Sequence, residues 1–258
     1  MAPLLTGVLF RPDRYHYFAE LDSTNRLAAR LAQEGADQGT VVVADCQTGG
    51  RGRLGRSWFS PRGVNLYCSV VLRPAIPPQV AAQLTLVAGL ALAHAVADLG
   101  CGDVELKWPN DLLLGGRKAA GILTEMRTEA ARIQHVIVGI GVNVNGARTA
   151  FPVALREQAV NLAESLRGPV DRARLLAGLL AWLEHWYDRF DREGFGPLRQ
   201  EWLSFARLLD QAVQVRLADE TFSGRARALD AEGYLLVQRA DGTLTRVVAG
   251  DVMRLEEG

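Results

Sequence analysis

Lysine is nearly missing from this chain. Of 29 basic residues only Lys107 and Lys118 are lysines, and the rest are arginines. Cysteine is scarce and odd in number, with Cys46, Cys68 and Cys101 far apart, which excludes a disulfide framework and the clustered spacing of a zinc site. The histidines, His16, His94, His135 and His185, stand singly, so no metal cage is written here. Neither charge sign is in excess, with 29 acidic residues against 29 basic ones. That balance argues against a nucleic-acid partner. No basic segment followed by an apolar run opens the chain. The most membrane-like stretch, residues 80–97, carries Gln83, Thr85 and His94, and reads as a buried helix rather than a span. A G-x-S-x-G elbow and a P-loop are absent as well. With 48% hydrophobic residues in 258, the chain reads as globular, without a membrane partner, and as cytoplasmic from its reduced cysteines.

The pattern of what is present predicts an α+β fold. Residues 15–21 read as a strand, and Asp22, Ser23, Thr24 and Asn25 suit the start of a helix running to Gly35. Strands are expected at 40–44 and 65–72, with a glycine-rich loop between them. Pro77 and Pro78 open the long apolar helix. Strands follow at 104–108, 112–114, 119–127 and 133–142, with Gly115-Gly116 as a hairpin turn. Helical periodicity marks 155–166, 172–191 and 198–209, with Trp182, Trp186 and Trp202 as core anchors. From about Gln211 the pattern changes to short alternating segments at 212–217, 222–229, 234–239 and 244–248, split by Asp-Glu, Glu-Gly and Asp-Gly turns. Two domains are expected, 1–209 and 210–258, the second a small β-barrel.

Three segments carry chemistry. The loop at 49–62 holds Arg51, Arg53, Arg56 and Arg62 and no acid. Glycines let backbone N–H groups approach an anion, and guanidinium forks bind one bidentately. A solvated arginine-rich loop has the same composition. Both lysines fall in Lys107-Trp108-Pro109-Asn110-Asp111 through Arg117-Lys118. In so arginine-rich a chain, that placement suggests that a compact ammonium is wanted. Trp108-Pro109-Asn110-Asp111 suits a site at a strand end, although Asn and Asp cap turns routinely. Gly139-x-Gly-x-Asn143 permits close approach of a ligand or tight packing. Cys46, beside the loop, reads as a small buried hydrophobe.

Taken in order, Ser23-Thr24-Asn25, Gln47, Gly50-Arg51-Gly52-Arg53 with Trp58, Lys107 through Lys118 into Ala120-Gly121-Ile122-Leu123, and Gly139-x-Gly-x-Asn143 resemble the biotin protein ligases. The resemblance implies a central mixed β-sheet with helices, similar to the class II tRNA-synthetase and lipoate-ligase core, plus a C-terminal SH3-like barrel. It implies a two-step reaction. Biotin and MgATP give biotinyl-5′-AMP and pyrophosphate, and the ε-amine of a lysine on a carboxylase carrier domain, usually that of acetyl-CoA carboxylase, then takes the biotinyl group.

On that resemblance Ser23, Thr24, Asn25 and Gln47 bind the ureido end of biotin. Gly50, Arg51, Gly52 and Arg53 form the loop that closes over the carboxylate and the adenylate phosphate, and Gly121 also belongs to the biotinyl-AMP site. Lys118 is the first choice for a catalytic residue, with Asp111 and Arg51 beside it. Arg53, Trp58, Lys107, Asn110 and Asn143 serve the nucleotide. Magnesium is expected to arrive with ATP, and no prosthetic group is implied. Only about twenty residues precede Ser23, which leaves no room for the N-terminal helix-turn-helix of bifunctional members. A DNA partner is therefore not expected. Family members occur both as dimers and as monomers, so a homodimer stays open.

Overall fold

A computed structural model describes residues 7–255; residues 1–6 and 256–258 of the two expected domain spans lie outside the described residues. Seven strands form the main sheet: β1 (Tyr15–Phe18), β2 (Val41–Ala44), β3 (Leu66–Leu72), β4 (Val104–Lys107), β5 (Asp111–Leu114), β6 (Arg117–Glu129) and β7 (Arg132–Val142). Their order is β1-β2-β3-β7-β6-β5-β4. Only β1 and β2 run parallel, so the sheet is mixed. The β5–β6 hairpin turns through Gly115 and Gly116, both at positive φ, the conformation a two-residue turn of this hand requires.

Both faces of the sheet are covered, which is why β2 and, apart from Ser69, β3 read as apolar runs. Helix α1 (Thr24–Gln33) packs Leu27, Ala28 and Ala32 against Val42, Val71 and Ile137 on one face. On the other face, Val41, Val43, Val70, Val138 and Ile140 belong to the apolar core that helix α2 (Gln83–Ala97) also enters. That helix is apolar all round because α4 (Arg172–Glu193) covers it from outside. The segment Pro78–Ala97 is long and apolar enough to cross a membrane, yet most of it is buried in this fold. Asp171 caps α4 by accepting from the Ala173 and Arg174 amides at 2.8 and 3.3 Å. Trp186 and Trp202 are core residues as expected, while Trp182 is only partly buried.

Two expectations need correction. The helix expected at 155–166 is confined to α3 (Leu162–Leu166). The residues before it run alongside Lys118, where the Lys118 amide donates to the Gln158 carbonyl at 2.7 Å and the Val160 amide to the Lys118 carbonyl at 3.0 Å. Those tertiary bonds outweigh a local helical pattern. At the C-terminal end, α5 (Gly196–Phe205) leads into β8 (Ala212–Arg216), β9 (Thr221–Leu229), β10 (Leu235–Gln238), β11 (Leu244–Val247) and β12 (Asp251–Arg254). The last of these, a partner for β8, was not expected.

This five-stranded antiparallel sheet is no loose appendage. Val213, Val215, Leu235 and Val252 belong to the same apolar core as α2. The Trp108 indole donates to the Gly233 carbonyl at 3.0 Å, Gln83 to the Glu232 carbonyl at 3.1 Å, and Arg254 to the carboxylate of buried Glu105 at 2.8 Å.

Candidate active site

The site grows out of strand alternation. Successive side chains of a strand point to opposite faces. On β7, Val138, Ile140 and Val142 enter the core while Gly139 and Gly141 face the α1 side. Gly121 of β6 pairs with Gly141, and Ser69 of β3 with Gly139. The missing side chains leave a trough. A Cβ on Gly139 would overlap the Asn25 amide, and one on Gly141 would meet the Trp58 indole nitrogen at 2.5 Å. The glycine motif is therefore a close-approach pattern in the interior of the sheet, its room taken by site side chains.

Above the trough is a cavity of about 800 Å³, lined among others by Ser23, Thr24, Asn25, Gln47, Arg51, Gly52, Arg53, Trp58, Lys107, Asn110, Asp111, Lys118, Gly121 and Asn143. Of the residues assigned to the site, Gly50 does not line it, and Arg62 of the arginine loop pairs with Glu20 outside it. This glycine is buried beneath the loop, where a Cβ would come within 2.6 Å of the Ser60 hydroxyl and the Trp58 carbonyl.

One end of the cavity is neutral and rich in hydrogen bonds. The Gln47 carbonyl oxygen accepts from the Thr24 amide at 2.9 Å and the Thr24 hydroxyl at 3.2 Å, while its amide donates to Ser60 at 3.1 Å. The Ser69 hydroxyl donates to the Asn25 side-chain carbonyl at 2.6 Å, and the Asn25 amide donates to the Leu123 carbonyl and to Glu125 at 3.2 and 2.7 Å. Both amide hydrogens of Asn25 are thus engaged within the protein, so what Asn25 can offer a ligand is an acceptor. Ser23 precedes α1 with no capping bond from its hydroxyl, contrary to the capping role its position suggests.

The other end is cationic. The arginine loop folds back on itself as a small hairpin, with the Trp58 amide donating to Gly50 at 2.9 Å and the Gly52 amide to Arg56 at 2.7 Å. Three arginines tie the hairpin to three different parts of the fold. Arg51 pairs with Glu125 of β6 at 3.0 Å, Arg53 donates to the Asn110 side-chain amide oxygen at 2.9 Å and to the Gly250 carbonyl, and Arg56 pairs with Asp251 of β12. Burial lowers the Arg53 guanidinium from its ordinary value, opposed by the nearby carboxylates of Asp251 and Asp111.

Lys118 completes this end. Its ammonium lies 2.6 Å from Asp111 and 5.5 Å from the centre of the Trp58 ring. Lys107 is the register partner of Asp111 across the β4–β5 pair. Asn110 and Ile122 exchange two bonds of 2.9 Å, which fix the turn after the cis Trp108–Pro109 bond. Asn143 is buried, with its amide 3.4 Å from the Lys118 carbonyl. The Trp58 ring, assigned to the nucleotide on the resemblance, lies against Gly121 and Gly141.

Several site residues were not singled out in the sequence. Ser69 carried a signal, as the one serine in the fully buried strand Leu66–Leu72. Glu125 also carried one, because Gly121, Leu123 and Glu125 alternate on one face. Phe151, Leu155 and Gln158 of the rim, and Arg216, Asp251 and Met253 from the C-terminal sheet, reach the cavity only through tertiary packing. Among the described residues no group of three metal-ligating side chains is found, and the three cysteines are free.

Residues 17–143 match the model of the biotin/lipoate A/B protein ligase family, and residues 208–254 that of the biotin protein ligase C-terminal domain. The biotin–[acetyl-CoA-carboxylase] ligase of Paracoccus denitrificans is 38% identical over 231 residues, covering 87% of this chain and 94% of that protein. The bifunctional ligase/repressor BirA of Bacillus subtilis is 38% identical over 236 residues, covering 92% of this chain and 72% of its own. Among solved structures, the biotin protein ligase of Aquifex aeolicus in complex with biotin and ATP superposes with a TM-score of 0.80 at 29% identity, covering 94% of this chain and 99% of that one. With its polar pocket, arginine hairpin and paired lysine and aspartate lying in the matched segment, the chain belongs to the biotin protein ligase family.

Proposed function

We infer that this chain joins biotin to a protein lysine in two steps at the cavity described above. The carboxylate of biotin attacks the α-phosphorus of ATP, pyrophosphate leaves, and a mixed anhydride, biotinyl-5′-AMP, is formed. The ε-amine of a carrier lysine then attacks the acyl carbon, AMP leaves, and an amide remains. The observation that carries this reading is the polarity of one cavity. Its neutral end suits an uncharged ureido ring, and its cationic end suits a carboxylate meeting a phosphate.

The residue roles follow from position. Ser23, Thr24, Asn25 and Gln47 orient the ureido group, and Ser69 holds Asn25 in place. Lys118, an ammonium between the two halves of the site, stabilises charge on the carboxylate and phosphoryl oxygens in both steps. Asp111 orients Lys118 and is placed to receive the proton of the incoming amine. Arg51, Gly52 and Arg53 cover the anhydride and exclude water. Lys107, Asn110 and Asn143 serve the nucleotide side, where Arg53 links Asn110 to the C-terminal sheet. ATP is taken as its magnesium complex, with the metal carried by the phosphates.

The acceptor is the biotin carboxyl-carrier domain of acetyl-CoA carboxylase or a similar carboxylase. Residues 1–209 carry the chemistry and 210–258 close one side of the site. Free thiols support a reducing, cytoplasmic setting.

The test is pyrophosphate release from MgATP with biotin, lipoate or octanoate, followed by mass spectrometry of an added carrier domain. Release with biotin alone and one biotin mass on one carrier lysine is expected. Activity with lipoate or octanoate instead would reassign the pocket.

A further inference from the structure

Glu125 has no role in the account above, yet its carboxylate touches both the ureido pocket and a guanidinium of the arginine hairpin. One oxygen lies 3.0 Å from the Arg51 guanidinium, and the other accepts from the Asn25 amide at 2.7 Å. Asn25 is itself held on its remaining atoms by Ser69 and Leu123. The rotamer of Glu125 is therefore set from the pocket side, before Arg51 is considered. Arg51 uses a single terminal nitrogen on Glu125 and keeps its other donors, and it lines the same cavity as Lys118. The pair is not local. It joins β6 to a hairpin whose other two tethers, Arg53 on Asn110 and Arg56 on Asp251, lie on the nucleotide side.

We propose that Glu125 is a positioning residue for the ligase reaction. It holds Arg51 over the biotinyl carboxyl group from a geometry fixed by the ureido pocket, so that a correctly seated biotin ring and a closed hairpin support one another. The inference rests on the ligase reading. A linkage of this kind is reciprocal: whatever steadies Asn25 steadies Arg51, and loss of either weakens the other. Retention of biotinyl-5′-AMP is then the property that Glu125 governs.

Glu125→Gln and Glu125→Ala separate this role from plain support of the pocket. Glutamine keeps an acceptor for Asn25 and removes the charge that holds Arg51, whereas alanine removes both. The readouts are the biotin KM for pyrophosphate release, the fraction of biotinyl-5′-AMP found free in solution, and trypsin cleavage within the hairpin with and without biotin. In Glu125→Gln we expect free adenylate to rise about fivefold, the scale of one partly exposed ion pair. That rise should exceed the change in KM, and biotin should no longer protect the hairpin from trypsin. In Glu125→Ala both quantities should rise. The Arg51→Ala, Glu125→Gln double variant should leak no more than Arg51→Ala alone, because both changes remove one interaction.

A rise in KM without a rise in free adenylate, or additive leakage in the double variant, overturns the proposal. Wild-type protein that releases no pyrophosphate with biotin overturns the ligase reading itself. Wild-type turnover with a Glu125→Gln leak equal to wild type overturns only the role of Glu125.

Discussion

Lys118 is boxed in on three sides, with Asp111 at 2.6 Å, the Trp58 ring below it and its own backbone bonded to Gln158 and Val160. An ammonium so held stabilises charge without having to reorganise, and removing a group of this kind reduces a chemical step by about 100- to 1000-fold. We expect Lys118→Ala to lose pyrophosphate release on that scale with an unchanged circular-dichroism spectrum. Release near the wild-type rate would end its catalytic role. Away from the site, Asp45 takes a bond from the Tyr17 hydroxyl and one from Arg172 at 2.8 Å. Burial would raise its carboxyl, but these two partners hold it below its ordinary value of 3.8. A depressed carboxylate contributes stability above that value and loses it as the pH falls through the folded-state value. Asp45→Asn should therefore lower stability by about 1 kcal/mol at pH 7. The gap to wild type should close below pH 3.8, as checked by urea melts at both pH values. At this scale most of the site was legible in the sequence, because Lys118, Asp111 and the arginines are residue types chosen for charge. Ser69 and Glu125 were harder to see, since their importance lies in whom they hold.

Among the elements, the arginine hairpin is the one proposed to close over the anhydride. Its backbone closes on itself, and its attachment to the rest of the fold runs largely through side chains, including ion pairs of Arg51 and Arg56 whose arginines are 44% and 61% exposed. Exposed pairs of this kind hold weakly. In Arg53→Ala, which loses the bonds to both Asn110 and Gly250, biotinyl-5′-AMP should still form but escape. Mass spectrometry would then find biotin on bystander proteins as well as on the carrier, and full selectivity would refute the lid role. The strands and long helices around the hairpin were readable from periodicity, since α1, α2 and α4 and all seven strands of the main sheet follow their apolar patterns. What was not readable lies where a segment trades local for distant bonds. Residues 155–160 give up a helix to flank Lys118, and β12 exists because β8 offers it an edge.

Across the whole molecule, one apolar core runs from the main sheet through α2 into the C-terminal strands. The sequence marks a change of pattern near Gln211, and that change is real in topology but not in packing. Chain segments that share a core unfold together. Urea denaturation followed by tryptophan fluorescence, far-ultraviolet circular dichroism and pyrophosphate release should therefore give one coincident transition. An earlier step in any probe would mean that the C-terminal sheet melts by itself. Because Arg216, Asp251 and Met253 reach the cavity, activity should not outlast that sheet.

The scarcity of lysine acquires a meaning beyond catalysis. An acyl-adenylate that slips out of its enzyme meets that enzyme's own surface first, and amines are what it modifies. Both lysines in this sequence line the cavity, so the basic side chains elsewhere are arginines, whose guanidinium groups do not accept the acyl group. The outer surface therefore offers its own reactive intermediate no lysine amine, so biotin recovered on a lysine outside the cavity of a leaking variant would have to sit on some other protein.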